Sequence, residues 1–166
     1  MLFHLSRHTV IFGVILAILV LAIHYRWLMD GGLLGAPRSD VIRGVWGLDQ
    51  QARSFALWGS HVNFPEGAKL LVLPWFSSLL VAPMVWVLGA VNAYNLWVLL
   101  LLWATGFSAA RLAQELTGSR HAGWIVAGML ISQPMMWLAI TDGTPENVAF
   151  WTVPLLLIAI RRAGKD

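Results

Sequence analysis

Long runs of apolar residues dominate this chain and restrict what it can fold into. They begin near residues 10, 70, 92, 122 and 148, and mostly short, turn-forming connectors separate them. Only 11% of the residues are charged and 58% are hydrophobic, whereas a soluble domain has roughly 25% charged residues. The chain lacks the polar side chains that would cover a globule in water. We therefore predict an integral membrane protein of the all-α class.

The charged and cysteine content excludes several function classes. Eleven Lys and Arg give a net charge of +3, but they form no cluster with interleaved aromatic residues, so we predict no nucleic-acid partner. The absence of cysteine excludes disulfides and thiol catalysis. His4 and His8 are spaced i,i+4 without a third ligand nearby, which favours a headgroup-facing pair over a metal site. A small transporter is disfavoured, because no apolar run has an ionisable residue near its centre.

Five segments are candidates for crossing the membrane. Residues 9–28 are favoured as an uncleaved helix over a signal peptide, because no small-x-small cleavage pattern follows them closely. Residues 70–88 contain Pro74 and Pro83, and they either span or form a broken juxtamembrane or re-entrant segment. The remaining segments are predicted to span, which gives four or alternatively five transmembrane helices in one membrane domain: 92–112, 122–140 and 147–160.

The first loop, residues 29–69, is the one long polar segment. Ser39 is a good helix N-cap, and Asp40 lies in the first turn, where the helix dipole favours an anion. Apolar residues then recur at helical spacing. We predict an amphipathic helix over about 40–58 in the plane of the membrane interface. Asp49 is either solvated or paired with Arg53 at i,i+4. The apolar face comprises Val41, Val45, Leu48, Ala52 and Phe55.

The charge distribution leaves two orientations open. Residues 114–121 and the C-terminal tail are basic, and loop 141–147 carries acids only, so the positive-inside rule places that loop outside the cell. If residues 70–88 do not cross, the N-terminus is cytoplasmic and segment 35–67 is outside. If they do cross, these two assignments are exchanged.

Several short motifs resemble those of the GT-C glycosyltransferase superfamily of bacterial membrane proteins. They are Gly-Ala-Pro-Arg-Ser-Asp at 35–40 with Trp46, Trp58 and Asn-Phe-Pro-Glu-Gly at 63–67, then Ala-Tyr-Asn-Leu at 93–96 and Gly-Thr-Pro-Glu-Asn at 143–147. The resemblance extends over residues ~35 to 160. It implies transfer of a sugar from a polyprenyl-phosphate donor on the outer face of the bacterial inner membrane. It also implies that residues 70–88 do not cross, which selects the first orientation.

The resemblance also implies roles for individual residues. Asp40 would be the essential first-loop carboxylate, acting as general base or as ligand to a divalent metal such as Mg or Mn. Arg43 would contact a phosphate oxygen, and Asp142 and Glu146 would supply a second acidic group that binds substrate. Members of this superfamily usually have many more spans, so the chain matches their N-terminal part. We expect it to be inactive alone or to be completed by a second chain.

The acidic residues and the function each have a simpler interpretation. Asp40 is equally explained as a plain acid at a helix N-terminus, and Asp142 and Glu146 as solvated loop residues. The alternative function is a non-enzymatic membrane subunit that packs against partner helices through small residues. The small residues in question are Gly106, Ala110, Gly123 and Gly128.

Overall fold

The computed structural model describes residues 7–29, 32–36, 40–54, 58–59, 68–69, 75–144, 147 and 149–164. In these ranges the chain is helical apart from a two-residue antiparallel ladder, in which Trp58 pairs with Lys69 and Gly59 with Ala68. This confirms the all-α class. The elements, in chain order, are α1 (Arg7–Met29), α2 (Val41–Ser54), β1 (Trp58–Gly59), β2 (Ala68–Lys69), α3 (Trp75–Thr117), α4 (Arg120–Ile131), α5 (Pro134–Asp142) and α6 (Thr152–Ala163).

Two of the described helices are long and apolar enough to cross a membrane. They are α1, over Arg7–Tyr25 with mean hydropathy 2.2, and α3, over Leu79–Thr117 with mean hydropathy 1.8. The bent pair α4 and α5 passes the same test if it is taken as one span. Helix α6 has 12 residues and is about 18 Å long, which falls short of the ~30 Å hydrocarbon core. The described residues thus have two or three candidate spans, fewer than the four or five predicted.

Helix α3 is broken at Gly89, which lies between the predicted segments 70–88 and 92–112. Gly89 has φ 77° and ψ 161°, a backbone conformation that is open to glycine and closed to most other residues. A Cβ added there would meet nothing within 4 Å. The break is therefore a property of the glycine backbone and is not forced by packing.

The segment predicted as a single span over 122–140 consists of two helices, α4 and α5. Pro134 begins α5, and the preceding Gln133 has φ −64° and ψ 133°, the extended conformation that a following proline imposes. Helix α4 ends before this residue, and the two axes meet at 44°. Gly143, at φ 74°, ends α5 in the left-handed conformation typical of a glycine cap.

Helix α2 matches the amphipathic helix predicted for the first loop, over Val41–Ser54 rather than about 40–58. Val41, Leu48 and Ala52 are fully buried, and Arg53 is exposed. The helix packs on α3, where Gly44 lies so close to the ring of Tyr94 that an added Cβ would come within 2.8 Å of it. Phe55, the last residue of the predicted apolar face, lies outside the described residues.

Candidate functional site

The packing of α1 on α3 gives the molecule two ends of different charge. The two helices are antiparallel, since Arg111 Nη1 donates to Thr9 Oγ1 over 3.0 Å at one end and Leu34 N donates to Asn95 Oδ1 over 2.9 Å at the other. We call the first the basic end, because Arg7, Arg111, Arg120 and Arg162 collect there, Arg162 through its ion pair with Glu115 of α3. The other is the acidic end, which carries Asp40 and Asp142.

Asp40 and Asp142 are neighbours at the acidic end, although roughly 100 residues separate them in the sequence. The backbone amide of Asp40 donates to the carbonyl oxygen of Asp142 over 3.1 Å. Just before α2, the amide of Ala36 donates to the carbonyl oxygen of Thr141 over 2.7 Å. Two backbone bonds thus fasten the start of α2 to the last turn of α5, where carbonyls lack partners within their own helix. This contact places two of the predicted site residues side by side.

Val41 is the side chain around which this junction closes. It is fully buried, and two glycines that lie far apart in the sequence both pack against it. A Cβ added to Gly143 would come within 2.6 Å of Val41 Cα, and one added to Gly35 would overlap Val41 Cγ2. Both glycines also have positive φ, 137° at Gly35 and 74° at Gly143. Glycine is required at both positions by close approach and by backbone conformation together.

Arg43 pairs with Asp40 rather than standing apart from it. Its Nη2 lies 3.2 Å from Asp40 Oδ2, one turn along α2. The side chains are 59% and 52% exposed, and exposed ion pairs of this kind contribute little stability. The carboxylate of Asp40 is therefore accessible to a second molecule, and Arg43 is free to exchange its partner for a phosphate oxygen at low cost.

A second ion pair lies on the same helix, away from the junction. Arg53 Nε donates to Asp49 Oδ2 over 2.8 Å, which is the predicted i,i+4 pair. This hydrogen bond, and then the Coulomb attraction of the same carboxylate, raises the pKa of Arg53 above its ordinary value. Asp49 therefore has a structural partner on the surface of α2 and no contact with Asp142.

An open cavity of about 460 Å³ lies beside Asp142. Its polar lining comprises Gln133, Asp142, Thr144 and Asn147, and its apolar lining comes mainly from methionines and Phe150. Carboxylate, amide and hydroxyl groups bind sugar hydroxyls as acceptors and donors, and the apolar wall suits a hydrocarbon chain. Gln133, at the other end of α5 from Asp142, was not among the predicted site residues.

Two further predictions for this site concern Glu146 and a metal ion. Glu146 lies outside the described residues, so its position relative to Asp142 is not part of the structure. Within the described ranges no group of three or more His, Asp or Glu is arranged to hold a metal ion. Asp40 and Asp142 alone provide carboxylate oxygens of the type that Mg²⁺ uses together with substrate phosphates.

Comparison of the chain with known protein families, curated proteins and solved structures finds no match. The similarity to GT-C glycosyltransferases thus rests on the short motifs given above.

Proposed function

We propose that this chain is a GT-C-like glycosyltransferase module of the bacterial inner membrane, with its reacting groups at the acidic end. The observation that carries the proposal is the junction of Asp40 with Asp142, beside a cavity whose lining is part polar and part apolar. A polyprenyl-linked sugar has a matching combination of hydroxyls and hydrocarbon, and its phosphate is left to Arg43. The module would transfer the sugar to an acceptor hydroxyl on the outer face.

The charge distribution between the two ends supports this orientation. The basic end contains the N-terminus of α1, the connector between α3 and α4, and the end of α6. In this orientation the chain also crosses between Phe150, which lines the cavity beside Asp142, and Arg162, although α6 alone is shorter than the hydrocarbon core. By the positive-inside rule this end lies in the cytoplasm and the acidic end lies outside. Residues Ala90–Thr117, about 42 Å long as a helix, suffice to cross the ~30 Å core, so the part of α3 before Gly89 is not needed for crossing.

The two aspartates take different roles in the proposal. Asp40, exposed at the start of α2, acts as general base toward the acceptor hydroxyl. Asp142 lines the cavity and binds sugar hydroxyls, together with Asn147 and Thr144. Arg43 leaves Asp40 to contact a donor phosphate oxygen, which a guanidinium binds through paired N–H groups. A divalent metal, if the reaction uses one, would take Asp40 as ligand and would neutralise the leaving phosphate.

The non-enzymatic alternative is less well supported by the packing. Three of the small residues that it requires are already used inside the chain. An added Cβ at Gly106 would meet Ile131 Cδ1 at 2.8 Å, one at Gly123 would meet Gln114 Cγ at 2.9 Å, and Ala110 is fully buried. Gly128 alone of the four has open space around it. Of the four small residues that the alternative requires, only Gly128 therefore has room for a partner helix.

The test is sugar transfer by purified protein in lipid nanodiscs that contain a radiolabelled polyprenyl-phosphate-linked sugar. Asp40→Asn and Asp142→Asn keep the side-chain volume and remove the charge. Asp49→Asn is the matched control, since it makes the same change on α2 in a residue paired with Arg53. We expect Asp40→Asn to lower the transfer rate at least about 100-fold, the usual size of a lost general base. The control should stay within about twofold of wild type, since it removes only an exposed pair.

Two results would contradict the proposal. One is a wild-type protein that neither binds nor turns over the donor. The other is an Asp40→Asn variant that transfers sugar at the rate of the Asp49→Asn control. Binding of the donor is measured in parallel. If the chain needs a second chain for turnover, wild type will still bind the donor and Asp142→Asn will not.

A further inference from the structure

A second cavity, at the basic end, has no part in the proposed reaction. It has a volume of about 260 Å³ and lies where α1, α3 and α4 converge. Its polar side is formed by His8, Thr9, Arg111, Gln114 and Arg120, and its apolar side by Ile11, Phe12 and Trp124. The rings of Phe12 and Trp124 meet edge to face, with centroids 4.3 Å apart. The cavity is therefore a built site with one charged wall and one aromatic wall.

The two arginines of this cavity have no carboxylate partner in the described part of the chain. Ion pairs there engage Arg43, Arg53 and Arg162. Arg111 instead donates to two neutral acceptors, Thr9 Oγ1 at 3.0 Å and Gln114 Oε1 at 3.5 Å. These bonds hold the guanidinium against the cavity without neutralising it. Two positive charges on one small cavity attract an anion, and the planar guanidinium is suited to phosphate.

An apolar groove adjoins the cavity at Trp124. Trp124 lines both the cavity and a groove of about 280 Å³ between α1 and α4. The groove is lined by Leu16, Leu19 and Ile23 of α1, by Ala127 and Gly128 of α4, and ends at Trp137 of α5. On α4 the groove runs from Trp124 to Ile131, about 11 Å of helix, which covers most of the ~15 Å of one half of a hydrocarbon core.

We propose that the cavity at the basic end and this groove together bind one anionic phospholipid, with its phosphate between Arg111 and Arg120 and an acyl chain along the groove to Trp137. A lipid headgroup and free phosphate would both present a phosphate anion to the two arginines. The apolar groove that adjoins the cavity selects a lipid as the source of this phosphate over free phosphate. Basic pockets between membrane helices on the positive side are known to hold anionic headgroups. The site does not depend on the proposed transferase activity, because it shares no residue with the acidic end.

The experiment is native mass spectrometry of the full chain, delipidated in a neutral detergent and then given lipid. Dioleoyl phosphatidylglycerol is compared with dioleoyl phosphatidylcholine, which has the same chains and no net charge. Arg120→Gln removes a charge from an exposed side chain that forms no ion pair within the described residues. Arg162→Gln is the control, because it removes one charge from the same end of the molecule but outside the cavity, although Arg162, unlike Arg120, is paired with Glu115. Gly128→Leu fills the groove where an added Cβ meets nothing within 4 Å.

We expect wild type to retain the anionic lipid preferentially and Arg120→Gln to weaken that retention about tenfold, the effect of one charged hydrogen bond. Gly128→Leu should reduce it to the level of the uncharged lipid, and Arg162→Gln should leave it unchanged. Equal retention of the two lipids by wild type would overturn the proposal, and so would an equal loss in Arg120→Gln and Arg162→Gln. Displacement of the lipid by millimolar inorganic phosphate, or full retention in Gly128→Leu, would show a free-phosphate site and reject the lipid.

Discussion

The side chain of Asn95 joins α3 to a backbone segment that precedes it by some 60 residues. Leu34 N donates to its Oδ1 over 2.9 Å, and its Nδ2 donates to Gly32 O over 2.8 Å. Asn95 is 1% exposed, so these bonds replace water at a buried amide. The chain that leaves α1 is therefore positioned by a side chain rather than by a helix or strand. The bonds of Asn95 therefore position the backbone that leads to Gly35 and to the acidic end.

Replacing Asn95 by Leu should destabilise the protein, since it keeps the volume and leaves Leu34 N and Gly32 O without their buried partner. We expect a loss of about 1–3 kcal/mol in the free energy of unfolding, measured by thermal or denaturant unfolding in detergent. Asn92→Leu is the control, because Asn92 is exposed and bonds only Leu88 O in its own helix. Equal losses in the two variants would mean that the bonds to Leu34 and Gly32 contribute nothing.

Gly143→Ala should disrupt the junction between α2 and α5. The new methyl group would collide with the backbone of Val41, in addition to the cost of a non-glycine residue at φ 74°. Gly118→Ala separates these two causes, since Gly118 has φ 69° but an added Cβ meets nothing within 4 Å. We expect a loss of roughly 1–2 kcal/mol for Gly118→Ala and a clearly larger loss for Gly143→Ala, again by unfolding in detergent. A smaller loss for Gly143→Ala than for Gly118→Ala would contradict the packing of Val41.

Single cysteines at exposed positions should report the two ends separately, because the natural chain has no cysteine. Ile42→Cys and Asn147→Cys place thiols at the acidic end, and Leu116→Cys places one at the basic end. We expect a membrane-impermeant maleimide to label the first two in intact spheroplasts and Leu116→Cys only after lysis. Labelling of Ile42→Cys and Asn147→Cys from opposite sides would be incompatible with the Asp40–Asp142 hydrogen bond. Protection of both until lysis would reverse the orientation and remove the support for an outer-face transferase.

Local patterns in the sequence sufficed to predict the helices but not their number of crossings. The spacing of Val41, Leu48 and Ala52 gave the buried face of α2 because that face depends on periodicity alone. The lengths of α4, α5 and α6 did not follow from hydropathy, because apolar composition continues across Pro134 while the helix does not. A run of apolar residues indicates membrane exposure, whereas its division into spans depends on backbone breaks.

The candidate site was predictable residue by residue, and its assembly was not. Asp40 and Asp142 each stand out as acids at a helix end in an apolar chain. Their contact depends on Gly35, Val41 and Gly143, which fit together only in three dimensions. The cavity at the basic end was missed for a similar reason, since Arg111 lies in the predicted span 92–112 and Arg120 in the connector 114–121. Only the packing of α1 on α3 and α4 brings them together.

The distance in sequence between Val41 and Gly143 also determines when the acidic end can form during synthesis. Ribosomes add about 5–20 residues per second, so α2 is complete roughly 5–20 s before α5 exists to hold its first turn. During that interval α2 can already pack on α3, where Gly44 meets the ring of Tyr94. Assembly of the junction is thus a late event, because it waits for the synthesis of α5.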